Sequence, residues 1–231
     1  MDSPNTSSSS STPPASAQKT ATEESPAFRK WLRKAAFATG VGLTPEERQQ
    51  SAEEQKYRMC ETWKRELLNY SPSVVFMLKH LRLSGCAVPP ENIVCAPCDA
   101  AAGRAGGFHP AGAIVLCQGG FGGKRHMEDT LTHELVHMYD HCAFKVDWAD
   151  LRHHACSEIR ANSLSGDCRF FRELGRGFVA FSKQHQTCVR RRAVLSVRAN
   201  PNCPDEAAAE RAVNEVWESC FADTRPFDEI Y

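Results

Sequence analysis

His133-Glu134-Leu135-Val136-His137-Met138-Tyr139-Asp140-His141 carries the pattern H-E-x-x-H, and no Gly or Pro interrupts residues 124–148 around it. The stretch therefore reads as a helix. Residues four apart on a helix are offset by only about 40° and about 6 Å of rise, so the imidazoles of His133 and His137 can converge on one metal ion. Neutral imidazole nitrogen is a natural zinc ligand, and a carboxylate beside the metal's water can take its proton. The pattern points to zinc-dependent peptide hydrolysis, with His133 and His137 as ligands and Glu134 as the catalytic carboxylate. Leu131, Leu135, Val136 and Met138 give the helix apolar faces to bury.

Two histidines leave a catalytic zinc site one protein ligand short. Asp140 is the nearest candidate, but it lies about 10 Å from His133 along the helix axis. Its short side chain overshoots the metal, which suits it to orienting a ligand instead. No Gly soon after His137 turns the chain back, so a later element is expected to supply the third ligand. Residues 153–164 read as that element, a second helix closed by Ser165-Gly166. Glu158, 21 residues after His137, resembles in spacing the glutamate that completes the site in thermolysin-like peptidases. His154 on the same face is its rival, and a buried ion pair with Arg160 is the non-catalytic alternative. His109, before Pro110, reads as a turn residue outside the site.

Upstream, Thr44-Pro45-Glu46-Glu47 opens a helix expected over 45–69, with Thr44 as N-cap and Pro45 at the first helical position. Ser71-Pro72 breaks it. A second amphipathic helix over 73–83 places Val74, Phe76, Met77, Leu78, Leu81 and Leu83 in the core. A short strand is expected at 93–95, then a turn at Gly106-Gly107-Phe108 with His109-Pro110, then a strand at 113–117. That second strand is the candidate for pairing with extended substrate backbone beside the cleft, or else an ordinary core strand. The expected class is α+β: a helix-rich, disulfide-stapled, zincin-like metalloprotease domain with a small sheet.

Residues 1–26 are rich in Ser, Thr and Pro and nearly free of large apolar side chains, so a disordered tail is expected there and the metalloprotease domain over 27–231. The 28 basic and 28 acidic residues cancel, which gives no support for binding nucleic acid. No apolar run is long enough to span a bilayer, and neither a secretory signal nor a transit peptide is evident. Residues 28–37, FRKWLRKAAF, pair four cations with four large apolar side chains. They fit a helix resting on an anionic membrane surface, or an ordinary helix with one face packed. Eleven cysteines, all outside the tail, suggest a disulfide framework with one thiol left over. Cys95-Ala96-Pro97-Cys98 lacks both the second pair of a zinc site and the surroundings of a redox motif, which favours structural disulfides. Disulfides without a secretory signal call for an oxidising compartment reached by another route.

Several ordered blocks resemble one family: Thr130-Leu131-Thr132-His133-Glu134-Leu135-Val136-His137, Asp147-Trp148, residues 154–161 (HACSEIRA), Leu164-Ser165-Gly166, residues 188–193 (CVRRRA) and residues 220–228 (CFADTRPFD). They are similar to the mitochondrial metalloproteases that process subunit 6 of ATP synthase and assist assembly of its membrane sector. The resemblance implies zinc on His133 and His137, catalysis by Glu134, and a precursor of ATP synthase subunit 6 as substrate. It also implies peripheral attachment to the mitochondrial inner membrane on the intermembrane-space side, and about ten paired cysteines. A chaperone-like role in assembly, with a mainly structural metal site, is the alternative function. A reduced cytosolic or nuclear metalloprotease is a third, separable by its thiol state.

Overall fold

The structure, a computed structural model, describes residues 25–39, 41–99, 103–169, 174, 177 and 184–228. Seven α-helices and three strands lie among them. In chain order they are α1 (Pro26–Thr39), α2 (Pro45–Tyr70), α3 (Pro72–Leu83), β1 (Ile93–Ala96), β2 (Gly106–His109), β3 (Ala113–Cys117), α4 (Lys124–Phe144), α5 (Leu151–Leu164), α6 (Gln184–Arg198) and α7 (Glu206–Ala222). Contacts divide the chain after Arg48 into two compact units. The expected tail lies, as far as residue 24, outside the described residues, and the division at 26/27 remains a proposal.

Local chemistry sets the helix starts. The Glu47 N–H donates to Thr44 Oγ1 (3.2 Å) and the Thr44 N–H to Glu47 Oε2 (3.0 Å), a reciprocal cap on α2. Ser71 accepts from the Val74 N–H at the start of α3, Asp150 from Arg152 at the start of α5, and Asp205 from Ala208 at the start of α7. Helix α3 buries Val74, Met77 and Leu81, whereas Leu83, expected in the core, is 71% exposed at the helix end.

The sheet order is β1-β3-β2, with β1 parallel and β2 antiparallel to β3. Two expectations are corrected here. Residues 106–109 form strand β2 rather than a turn, with Gly107 opposite Val115 and Phe108 opposite Ile114. The glycines serve close approach: a Cβ on Gly106 would stand 2.9 Å from Thr130 Cγ2 on α4 and 3.0 Å from the Val115 carbonyl oxygen. Strand β3, the candidate for pairing with substrate, is central and has both edges taken, so the free edge beside α4 belongs to β2.

One apolar cluster joins α2, α3, the sheet and α4 through Leu67, Val74, Met77, Leu81, Ile93, Ile114, Leu116, Leu131 and Leu135. A second joins α5, α6 and α7 through Ala155, Ile159, Val189, Val197 and Val213. Helix α4 packs against α5 between them. Five disulfides fasten these layers: Cys60–Cys95, Cys86–Cys142, Cys98–Cys117, Cys156–Cys220 and Cys168–Cys188. Closing loops of this length typically stabilises by about 2–4 kcal/mol per bridge. Cys95 and Cys98 pair with distant partners rather than with each other, and Cys203 carries the free thiol.

Candidate metal centre

Helix α4 is buried almost all round, and its apolar residues Met127, Leu131, Leu135 and Val136 are fully covered. Its buried polar residues Glu134 and His137, with the half-buried His133, face a cleft of about 1200 Å³ between β2, α5 and α6. His133 Nε2 and His137 Nε2 are 3.0 Å apart. Glu158 enters from α5, with Oε1 3.4 Å from His137 Nε2 and Oε2 3.7 Å from His133 Nε2. One ligand atom from each of the three residues lies within 4.8 Å of the other two. A tetrahedral zinc with bonds of about 2.0–2.2 Å sets neighbouring donors about 3.3–3.6 Å apart, so this two-nitrogen, one-carboxylate set fits the ion in both chemistry and span.

His154 and Asp140, weighed as other ligands, sit outside this triangle in different ways. Asn200 Nδ2 donates to His154 Nδ1 at 2.9 Å, which leaves the Nε2–H of His154 facing Glu158 Oε1 at 3.5 Å. Ser196 Oγ donates to the same oxygen (2.5 Å), and Asn162 Nδ2 donates to Glu158 Oε2 (3.1 Å). Three neighbours from α5 and α6 thus set the angle of the Glu158 carboxylate. Arg160, the expected alternative partner of Glu158, pairs instead with Asp140: Arg160 Nε donates to Asp140 Oδ1 at 3.0 Å.

Asp140 reaches the histidines through Ser157. The Ser157 hydroxyl donates to Asp140 Oδ2 (2.9 Å), so its oxygen accepts from His137 Nδ1–H (2.8 Å). A hydroxyl has one proton to give, so this chain of bonds keeps a proton on Nδ1 and turns the Nε2 lone pair towards the cleft. Sequence reasoning missed Ser157, Asn162 and Ser196. Only the position of Ser157 beside Glu158 hinted at it. Trp148 was visible only as part of a quoted block; its ring lies 5.7 Å from that of His137 and 5.6 Å from that of Phe108, walling the cleft. His109 lies exposed on β2, where its Nδ1 accepts from the Ala111 N–H in the turn.

Burial raises the carboxyl of Glu134 to about 7, helped by the charge of Glu158 and opposed by His137 and by the Phe108 N–H that donates to it. Burial, with His137 beside it, lowers His133 to about 4. Burial would lower His137 too, but Glu158, Glu134 and Asp140 outweigh it and raise the imidazole to about 9. Glu158 is held well below the usual carboxylate range: burial opposes this, and its histidine neighbours, His137 foremost, prevail. Burial raises Asp140 to about 6 against the pull of Arg160. Protons on His137 and cations at its Nε2 compete for one lone pair.

The peptidase M76 family model matches residues 58–228. A protein of Debaryomyces hansenii called mitochondrial inner membrane protease ATP23 is 47% identical over 212 residues, covering 88% of this chain and 89% of that protein. Proteins of the same name are 48% identical in Kluyveromyces lactis, over 88% of this chain and 90% of that protein, and 46% identical in Saccharomyces cerevisiae strain S288c, over 88% and 96%. No solved structure matches the chain.

Proposed function

The chain belongs to the peptidase M76 family, and we propose that it is a zinc-dependent endopeptidase with a zincin-like domain. His133, His137 and Glu158 hold the zinc and Glu134 is the catalytic carboxylate. One observation carries this reading: three ligand atoms fit one ion at the floor of the cleft, and a fourth, buried side chain stands next to them on the same helix with its carboxylate fixed by the Phe108 N–H. Bound zinc supplies a Lewis acid and makes water acidic enough to react near neutral pH.

The chain's own residues supply the rest. Glu134 takes up a proton at its carboxylate and returns it to the departing amine. The free edge of β2 offers backbone donors and acceptors to an extended peptide, which aligns the scissile carbonyl along the cleft. Phe108 and Trp148 exclude water from one wall. Ser157 holds His137 in the tautomer that presents Nε2.

The substrate we propose is the precursor of ATP synthase subunit 6, with a further role in assembly of the membrane sector. The protein works peripherally at the mitochondrial inner membrane, on the intermembrane-space side. The names of the relatives support the membrane and the protease. Five disulfides support an oxidising compartment, and no described helix is long and apolar enough to cross a bilayer. Glu134→Gln keeps the shape of the side chain and removes its basicity. The variant should bind zinc and leave the subunit 6 precursor uncut, whereas cleavage at the parent rate would sink the mechanism.

A further inference from the structure

Helix α1 belongs to the unit that ends at Arg48. Its sequence, PAFRKWLRKAAFAT, holds four cations and no carboxylate. At about 100° per residue, Phe28, Trp31, Leu32, Ala35 and Ala36 fall within one arc of about 140°. Arg29, Lys30, Arg33 and Lys34 fill a second arc of about the same width opposite, with Phe37 among them. The apolar arc is open to solvent: Phe28 is 45% exposed, Trp31 61% and Leu32 41%. The rings of Phe28 and Trp31 stack on each other at 5.9 Å. Among the described residues, Arg33 reaches a carboxylate at 3.7 Å, Glu47, in an exposed pair worth little.

Two rings and a leucine held in water beside a face whose charges are all positive fit a surface that is apolar beneath and anionic above. Fourteen residues are too few to span hydrocarbon, so such a helix lies in the plane of the interface. There the rings reach the acyl boundary, and the aliphatic stems of Lys and Arg lift their charges to the lipid phosphates. A protein groove would need a matching row of carboxylates; an anionic leaflet supplies one everywhere. We propose that α1 is an in-plane lipid-binding helix that attaches this chain to an anionic bilayer. The inference rests on the peripheral-membrane part of the function proposed above and is independent of its catalytic part.

The test uses the full chain, sedimented with vesicles of phosphatidylcholine alone or with a third of phosphatidylglycerol. The parent should bind the anionic vesicles, barely bind the neutral ones, and release as salt rises. Arg33→Gln with Lys34→Gln should weaken binding about 30-fold, and Trp31→Ser with Leu32→Ser by about tenfold or more. Both double variants should keep the parent's melting temperature and its cleavage of a soluble peptide, so that loss of attachment and loss of catalysis are read separately. Equal binding to both vesicle types, binding retained in both variants, or no binding by the parent would overturn the proposal. So would a dimer that binds no vesicles and dissociates in Trp31→Ser with Leu32→Ser, which would give the face to a second copy of the chain.

Discussion

Replacing Ser157 by Ala removes one oxygen and tests how the site is prepared for metal. That oxygen accepts from His137 Nδ1 at 2.8 Å, and its proton goes to Asp140 Oδ2 at 2.9 Å. Without it, the His137 Nδ1–H loses its partner and the ring is free to tilt and to change tautomer. The Asp140 carboxylate keeps Arg160 Nε at 3.0 and 3.2 Å, so the buried ion pair survives. The fold should therefore lose about 1–2 kcal/mol, the cost of the missing hydrogen bonds. Zinc affinity should fall about 10–100-fold, the usual effect of losing an outer partner of a ligating histidine, equivalent to about 1–3 kcal/mol. Competition against a chelator of known affinity measures the first quantity, and melting of the chelated protein the second. Cleavage at saturating zinc should recover most of the parent rate. Zinc affinity within a factor of two of the parent would refute the reasoning, because Ser157 would then be a packing residue. Asp140→Ala is the harsher contrast: it removes the acceptor of both Arg160 Nε and Ser157, while Arg160, 2% exposed, keeps Asp223 Oδ1 at 2.7 Å, a loss of about 2–3 kcal/mol.

Gly106→Ala should push β2 off α4, since the new methyl meets Thr130 Cγ2 and the Val115 carbonyl oxygen. Stability should drop by about 1–3 kcal/mol, and peptide cleavage should fall more than tenfold with zinc retained; unchanged cleavage would show that β2 does not position Glu134. In chelated protein, the His137 imidazole, raised to about 9 from 6.5, lends stability that is whole below pH 6.5 and lost as pH climbs through 9. The melting temperature of the metal-free protein should decline across that window and hold steady once zinc is added, and a flat metal-free profile would contradict the pairing of His137 with Glu158. Alkylation of the native chain should label one thiol, Cys203, and eleven after reduction and unfolding; several reactive thiols in the native protein would argue against an oxidising compartment.

Helices α2 and α3 were legible in the sequence because each carries its own start chemistry, whereas α6 and α7 were not singled out. Thr44 and Ser71 cap the starts of α2 and α3, and an unbroken apolar pattern carries α4. Strand β2 was not legible, because Gly106-Gly107 signals a turn unless one knows that a helix passes against it. The same ignorance of neighbours made β3 look like an edge. In the centre, the helical repeat brought His133 and His137 together with Glu134 beside them, and Glu158 was proposed from its distance along the chain after His137, with His154 on the same face as its rival. Ser157, Ser196 and Asn162 stayed hidden because a serine or asparagine has no fixed partner until tertiary packing supplies one. The disulfide pairing was likewise closed to sequence, since five bridges link residues 19 to 64 positions apart across different layers.

The central claim is that His133, His137 and Glu158 form one metal site, and the metal content of purified protein tests it most directly. One zinc is expected per parent chain, none in folded Glu158→Ala, and a full complement in His154→Ala. A parent that takes up no zinc, or a Glu158→Ala variant that keeps a full complement, would contradict it.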